Sequence, residues 1–401
     1  MNTRDVTRRG FLASTVGALS APAFFPGLSL QGSKPERRPT LVVIELFGGI
    51  DGLDVLVRHR EDAYYRSRPT IAIPKSELLR VDDDRGLPRH FAGLHELWSE
   101  GRVRFVDGVG YPNSTRSHFA ARTVWGAGYP NHSGRANGWL TRLRDHLWPE
   151  ETRPELLVHV GPDLAPSMQS SLRPVLAFDR PDGLDWIASS PGRGAGAPLE
   201  VPEEEDVPDI LRDLRSTESN AARLGPELRR LLEIYEPKVE YPKTEIGERL
   251  RVVAAMIQGG ADTRIYSLQH RSYDAHSIRL GRGSAVPGEF DRAIHAFLRD
   301  LEGTSAFENT LVLCHSEFGR AVAENSARGC DHGAAGLMML LGGKLAGGLS
   351  GESPSLDELD ANGALVPTSD FRRVYAAVIE QWFRAEHEPV LLERLDVPEL
   401  I

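Results

Sequence analysis

Five short blocks of this sequence carry side chains that can bind cations or move protons. Gly48-Gly49-Ile50-Asp51-Gly52 places an aspartate in a glycine-rich turn, and Arg116-Ser117-His118-Phe119 sets a hydroxyl between two basic groups. Tyr273-Asp274-Ala275-His276 offers a carboxylate and an imidazole. Ser316-Glu317-Phe318-Gly319-Arg320 supplies a carboxylate and a guanidinium, and Asp331-His332-Gly333 a second carboxylate–imidazole pair. Each block alone has a plainer reading: Asp-Gly is a good turn, Asp-x-His is commonly one, and a serine before a helix is a cap. Together, Asp51, Asp274, His276, Glu317, Asp331 and His332 suit one or two divalent metal ions, with zinc, manganese, calcium or iron compatible. Two such ions about 4 Å apart can clamp a phosphoryl or sulfuryl group while a hydroxyl attacks in line. Ser117, at the start of an expected helix, lies at the positive end of its dipole, which favours an alkoxide or a bound oxyanion. Arg116 or Arg320 would hold the equatorial oxygens. His118 or His332 would serve the leaving group. The alternative without any ion is that Arg116 or Arg320 pairs the carboxylates, since charges at buried strand ends are costly unless paired.

These groups need a frame that brings them to one edge. Thr310-Leu311-Val312-Leu313-Cys314 and Gly336-Leu337-Met338-Met339-Leu340-Leu341 are short apolar runs of the buried-strand kind, and Thr40–Phe47 is another. Strands are also expected over Gly101–Val106, Leu156–Val160, Pro174–Phe178 and Arg264–Leu268. Helical spacing covers Phe91–Trp98, Arg116–Val124, a start at Asn137, Asp209–Leu214, Glu227–Tyr235, Lys243–Ile257, Pro287–Leu301 and Ser369–Phe383. Tyr64–Pro74 reads as a surface segment. Strands alternating with helices predict an α/β fold with a mostly parallel central sheet and helices on both faces. Such a sheet holds its ligands beyond the carboxyl ends of its strands, where Asp51, Asp274 and Glu317 fall.

With 401 residues, 40% hydrophobic and 26% charged, the chain is long enough for one large α/β domain. A net charge of −10 gives no reason to expect nucleic acid as a partner. No internal run is long enough to span a membrane. Thr7-Arg8-Arg9-Gly10-Phe11-Leu12, the mild apolar run after it and Ala21-Pro22-Ala23 predict a twin-arginine signal over residues 1–23. That implies export after folding, to the periplasm or beyond. A polar lead-in over 24–39 then precedes one domain at 40–401, with a Gly/Pro-rich loop or insertion at 190–206. The two cysteines, Cys314 and Cys330, make no disulfide framework and read as small buried thiols.

In these blocks the chain resembles the bacterial domain-of-unknown-function 1501 family, placed in the alkaline phosphatase and sulfatase superfamily. The resemblance covers nearly the whole mature chain. It implies an alkaline-phosphatase-like fold, with Asp51 at the first-strand metal aspartate and Ser117 at the nucleophile position. It likens Asp274 and His276 to the carboxylate–imidazole pair of one metal, Glu317 to the carboxylate of the other, and His332 to the late histidine. Three features depart from the superfamily. Glu317-Phe318 stands where an adjacent Asp-His is usual, Asp274 and His276 are closer together than usual, and no Cys/Ser-x-Pro-x-Arg follows Ser117. A conventional sulfatase is therefore not expected. The expectation is an exported metal-dependent hydrolase of phosphate or sulfate esters, small or polysaccharide, with Ser117 or a water on the metal as nucleophile. The alternative is a non-catalytic exported binding protein that keeps the fold and a structural metal.

Overall fold

A computed structural model describes residues 39–129, 137–171, 173–179, 225–277 and 285–401. The expected signal, nearly all of the lead-in, the 190–206 segment and the Asp209–Leu214 helix lie outside the described residues. β1 (Thr40–Leu46) is central and buried along its whole length. It pairs in parallel with β8 (Ile265–His270) on one side and β9 (Thr310–His315) on the other. β6 (Leu157–Val160) and β7 (Leu176–Phe178) extend the parallel order beyond β8. Beyond β9, β10 (Gly336–Gly342) runs antiparallel, and β5 (Val103–Gly110) lies antiparallel to β10. β11 (Gly348–Ser350) and β12 (Ser369–Asp370) pair in parallel with β5. The sheet is thus mixed but mostly parallel, as the alternation of strands and helices predicts.

The two faces of β1 serve two cores. Val42, Ile44 and Leu46 join a cluster with side chains of the helices Ala92–Ser99, Glu245–Gln258 and Ala285–Leu301. Leu41 and Val43 join another with the helices His118–Ala127, Trp139–Leu147 and Phe371–Ala377. Each fully buried aliphatic side chain contributes about 1.5–3 kcal/mol, so a strand apolar on both faces belongs between two helical layers.

The reversed direction of β10 matters for the site. Its amino end lies at the edge where the parallel strands end, so the loop before it delivers Asp331 and His332 there. Arg320 and His332 form an isolated antiparallel bridge across that loop. A smaller sheet of β2 (Val57–Arg58), β4 (Arg85–Pro88) and β3 (Leu78–Arg80), in that order, stands apart. The Tyr64–Pro74 segment is not a surface element throughout. It enters through the helix Asp62–Ser67, and Tyr64 and Arg68 are fully buried. Arg68 goes inside because two aspartates, Asp51 and Asp54, neutralise it there. Cys314 and Cys330 are buried thiols not joined in a disulfide, as expected.

Candidate metal centre

Three elements converge at the carboxyl edge of the sheet. The loop after β8 carries Asp274 and His276, the loop between β9 and β10 carries Glu317, Arg320, Asp331 and His332, and the helix His118–Ala127 begins over both. One ligand atom each from His118, Asp274 and His332 lies within 4.8 Å of the others.

The two imidazoles are aimed by contacts behind them. His118 Nδ1 is 2.6 Å from Glu317 Oε1. His332 Nδ1 is 2.8 Å from the backbone carbonyl of Arg116. A carbonyl or a carboxylate only accepts, so both rings carry their proton at Nδ1 and present the lone pair of Nε2 inward. This is the arrangement found behind metal-binding histidines, which donate their other N–H to a carboxylate or a carbonyl. His118 Nε2 is buried and has no hydrogen-bond partner, and Asp274 Oδ2 lies 3.4 Å from it. A buried lone pair facing a carboxylate is unfavourable without a cation or a proton between them. The donor set of two nitrogens and a carboxylate oxygen suits zinc, iron or manganese better than calcium, which takes oxygen ligands.

Asp274 is the hub. Its Oδ1 accepts from Arg320 at 2.7 Å and faces the Nε2 atoms of His276 at 3.0 Å and His332 at 3.3 Å. Partial burial works against its charge, but Arg320 outweighs this and holds the carboxyl down at about 2. Burial also lowers His332, which keeps the ring neutral and able to bind. His276 lies between two of these groups, its Nε2 2.8 Å from His332 Nε2 and its Nδ1 3.3 Å from Asp331 Oδ1. Asp331 is held down chiefly by the Asn325 side chain, despite its exposure.

Several expected residues have other partners. Glu317, 1% exposed, takes the Gly48 N–H and the Ser316 hydroxyl besides His118, so it lies behind the imidazole. Asp51 is not brought into the group. It caps the helix Gly52–Val55 by accepting from Leu53 N and is ion-paired with Arg68 at 2.9 Å. Arg320 bonds the carbonyls of Gly48, Gly49, Tyr273 and Cys330 as well as Asp274, tying three loops together. Arg116 turns its guanidinium to Asp360 and offers the site only its carbonyl. Ser117 is the exposed N-cap residue of the helix His118–Ala127, and its side chain makes no capping bond. Phe318 packs 4.8 Å from the rings of both His118 and His332. His118, expected with His332 as a candidate for the leaving group, instead joins Asp274 and His332 in the cluster that could hold an ion. The i,i+1 neighbourhood of Ser117 was its only signal.

No curated protein matches the chain. Among solved structures it is similar to a protein in the alkaline phosphatase superfamily from Vibrio parahaemolyticus, with a TM-score of 0.38 and 10% identity over 90% of this chain and 71% of that one. It is similar to the PsFucS1 sulfatase from Pseudoalteromonas sp., with a TM-score of 0.37 and 9% identity over 86% of this chain and 67% of that one. A third is the phosphonate monoester hydrolase of Agrobacterium radiobacter, with a TM-score of 0.35 and 11% identity over 86% and 74% of the two chains. Likeness at this level assigns no residue and no reaction. The sequence itself is decisive: residues 107–394 match the family described as Protein of unknown function (DUF1501), and the chain belongs to that family.

Proposed function

We propose that the chain is a metal-dependent hydrolase of phosphate or sulfate esters, exported by the twin-arginine route. The observation that carries this reading is the convergence of His118 Nε2, Asp274 and His332 Nε2, with both rings held from behind. A divalent ion bound by these three residues would polarise an ester oxygen and favour ionisation of a nearby hydroxyl. The chain supplies the rest. Ser117 offers its uncapped hydroxyl at the positive end of the helix His118–Ala127, where developing negative charge is stabilised. His276 is half exposed, with its Nε2 3.0 Å from Asp274 Oδ1, so a proton held at that nitrogen can pass to the departing oxygen. Phe318, 2% exposed, closes the inner side against water.

The test is the metal content of the signal-cleaved protein, by elemental mass spectrometry without chelator, followed by assays on 4-nitrophenyl phosphate and sulfate. Zinc, manganese or iron near one equivalent and turnover of either ester are expected. Ser117→Ala should abolish turnover while metal content and melting temperature stay unchanged; retained activity would pass the attack to water. A protein that takes up no ion after incubation with all three refutes the metal centre.

The engagement of Arg116 and Arg320 favours a second reading, an exported binding protein with a structural metal. A hydrolase of anionic esters needs a group to hold the equatorial oxygens, and these two guanidiniums are already bonded. Bound metal without turnover across the ester panel would support that reading.

A further inference from the structure

We infer that Glu45 and Arg122 form a latch that positions His118, the metal-facing imidazole; this rests on the metal-centre reading above. Arg122 lies one turn after His118 on the same helix, so the two side chains leave on the same face. Both are held by glutamates at the carboxyl ends of adjacent strands. Arg122 grips Glu45, near the end of β1, with two parallel bonds of 2.6 and 2.7 Å. His118 meets Glu317, just past the end of β9. Gln269, on the neighbouring β8, donates to Glu45 Oε2 at 2.9 Å and fixes that carboxylate in turn. Phe47 lies between the two held side chains, with the Arg122 guanidinium 4.7 Å from its ring centre and the His118 ring 5.5 Å away edge-on.

The far half of the helix is held differently. Trp125 stacks between His315 and Phe371, with ring centres 5.4 and 4.3 Å away. Gly126 lies so close to Pro166 that a Cβ there would sit 2.5 Å from the proline side chain. Apolar packing of this kind already docks the helix. A buried ion pair adds little net stability over an apolar pair of the same size, so stability alone does not account for Glu45 and Arg122. A bidentate fork does add direction. It permits neither rotation nor sliding of the turn that carries His118, whereas apolar contacts repack with modest cost. The latch therefore acts on the metal through His118, and Arg122 and Glu45 are positioning residues.

The experiment measures zinc dissociation constants of the full signal-cleaved chain, by chelator competition, for Arg122→Lys, Glu45→Gln, His118→Ala and the Arg122→Lys/His118→Ala double variant. Lysine keeps the charge but loses the fork. Each single variant should weaken zinc binding by about tenfold or more. With His118 already removed, Arg122→Lys should add less than about a twofold change, because the two act as one unit. Equal weakening by Arg122→Lys with and without His118 overturns the latch, as does full zinc affinity in both Arg122→Lys and Glu45→Gln. Zinc affinity unchanged in His118→Ala is a different failure, which removes the metal-centre reading itself and the latch with it. If Arg122→Lys does not fold, Glu45→Gln, nearly the same size and able to accept one bond, carries the test. Loss of the fold in both would make the pair structural and overturn the inference.

Discussion

Glu317 decides what His118 can do. Its Oε1 takes the Nδ1 proton of the ring, and its two oxygens together anchor Gly48 N and Ser316 Oγ. Glu317→Gln keeps the shape but removes the charge that favours a proton at Nδ1. Zinc or manganese affinity should fall by roughly 10–100-fold, the usual cost of losing a partner behind a metal-binding imidazole. Isothermal titration of the apo-protein measures it, and unchanged affinity would mean that the ring is aimed by packing on Phe318 alone. The types of these residues were legible in the sequence, but their roles were not. A glutamate at a strand end can bind an ion or orient the group that does. The choice depends on which oxygen faces Gly48 or His118, both remote in sequence. Arg320 was legible as a cation near the site. Its consumption by four carbonyls was not, because those carbonyls belong to turns from three separate parts of the chain.

At the scale of elements, the site exists because the turn after β1 and the loop after β8 touch backbone to backbone. Gly48 has φ +119, and a Cβ there would stand 2.4 Å from Asp274 N and 2.9 Å from Tyr273 backbone atoms. Backbone cannot step aside as a flexible side chain can. Gly48→Ala should therefore cost about 3 kcal/mol or more, at the upper end of single substitutions. It should also displace Asp274 and weaken the metal, whereas a cost in stability alone would uncouple the two. Urea denaturation and zinc titration of the same preparation separate these outcomes. The long strands could be read from sequence because apolar runs of five to seven residues are too short for a helix and rich in strand-forming side chains, and the glycine turn because Gly48 and Gly49 follow the first of them directly. The direction of β10 could not, since an apolar run has no polarity of its own and its reversal is set by pairing with β9 and β5. The sheet of β2, β3 and β4 escaped notice because strands of two to four residues show too little alternation. The Glu45–Arg122 pair is hidden for a related reason: Glu45 stands inside an apolar run, and nothing in the local pattern names a partner 77 residues away.

At the scale of the whole molecule, buried imidazoles make the fold sensitive to acid. Burial holds His159 and His270 down at about 4, and pushes His315 in the same direction. In the unfolded chain these rings take up protons near pH 6.5. Between pH 6.5 and 4 the unfolded chain thus binds protons that the native one refuses, and stability falls as the pH falls. His159 and His270 each lower stability by at most about 1.4 kcal/mol per pH unit across that window, and His315 acts in the same direction. Asp291 acts the other way. Burial raises its carboxyl, so it contributes stability in acid that is lost as the pH rises through its native value. One opposing group does not cancel three. Acidification also reduces the net charge of −10, which eases self-repulsion. That relief is spread over a large surface and screened by salt, whereas each histidine charges inside the core. Urea unfolding of the metal-free protein should therefore give a steep loss of stability from pH 6.5 to 4.5. His159→Gln, which cannot titrate, should flatten that slope by about 1.4 kcal/mol per unit. His159 is fully buried at the sheet, bonded to Ser267, and is not one of the residues of the candidate metal centre. An unaltered slope in His159→Gln would mean that this ring is not what makes the fold acid-sensitive.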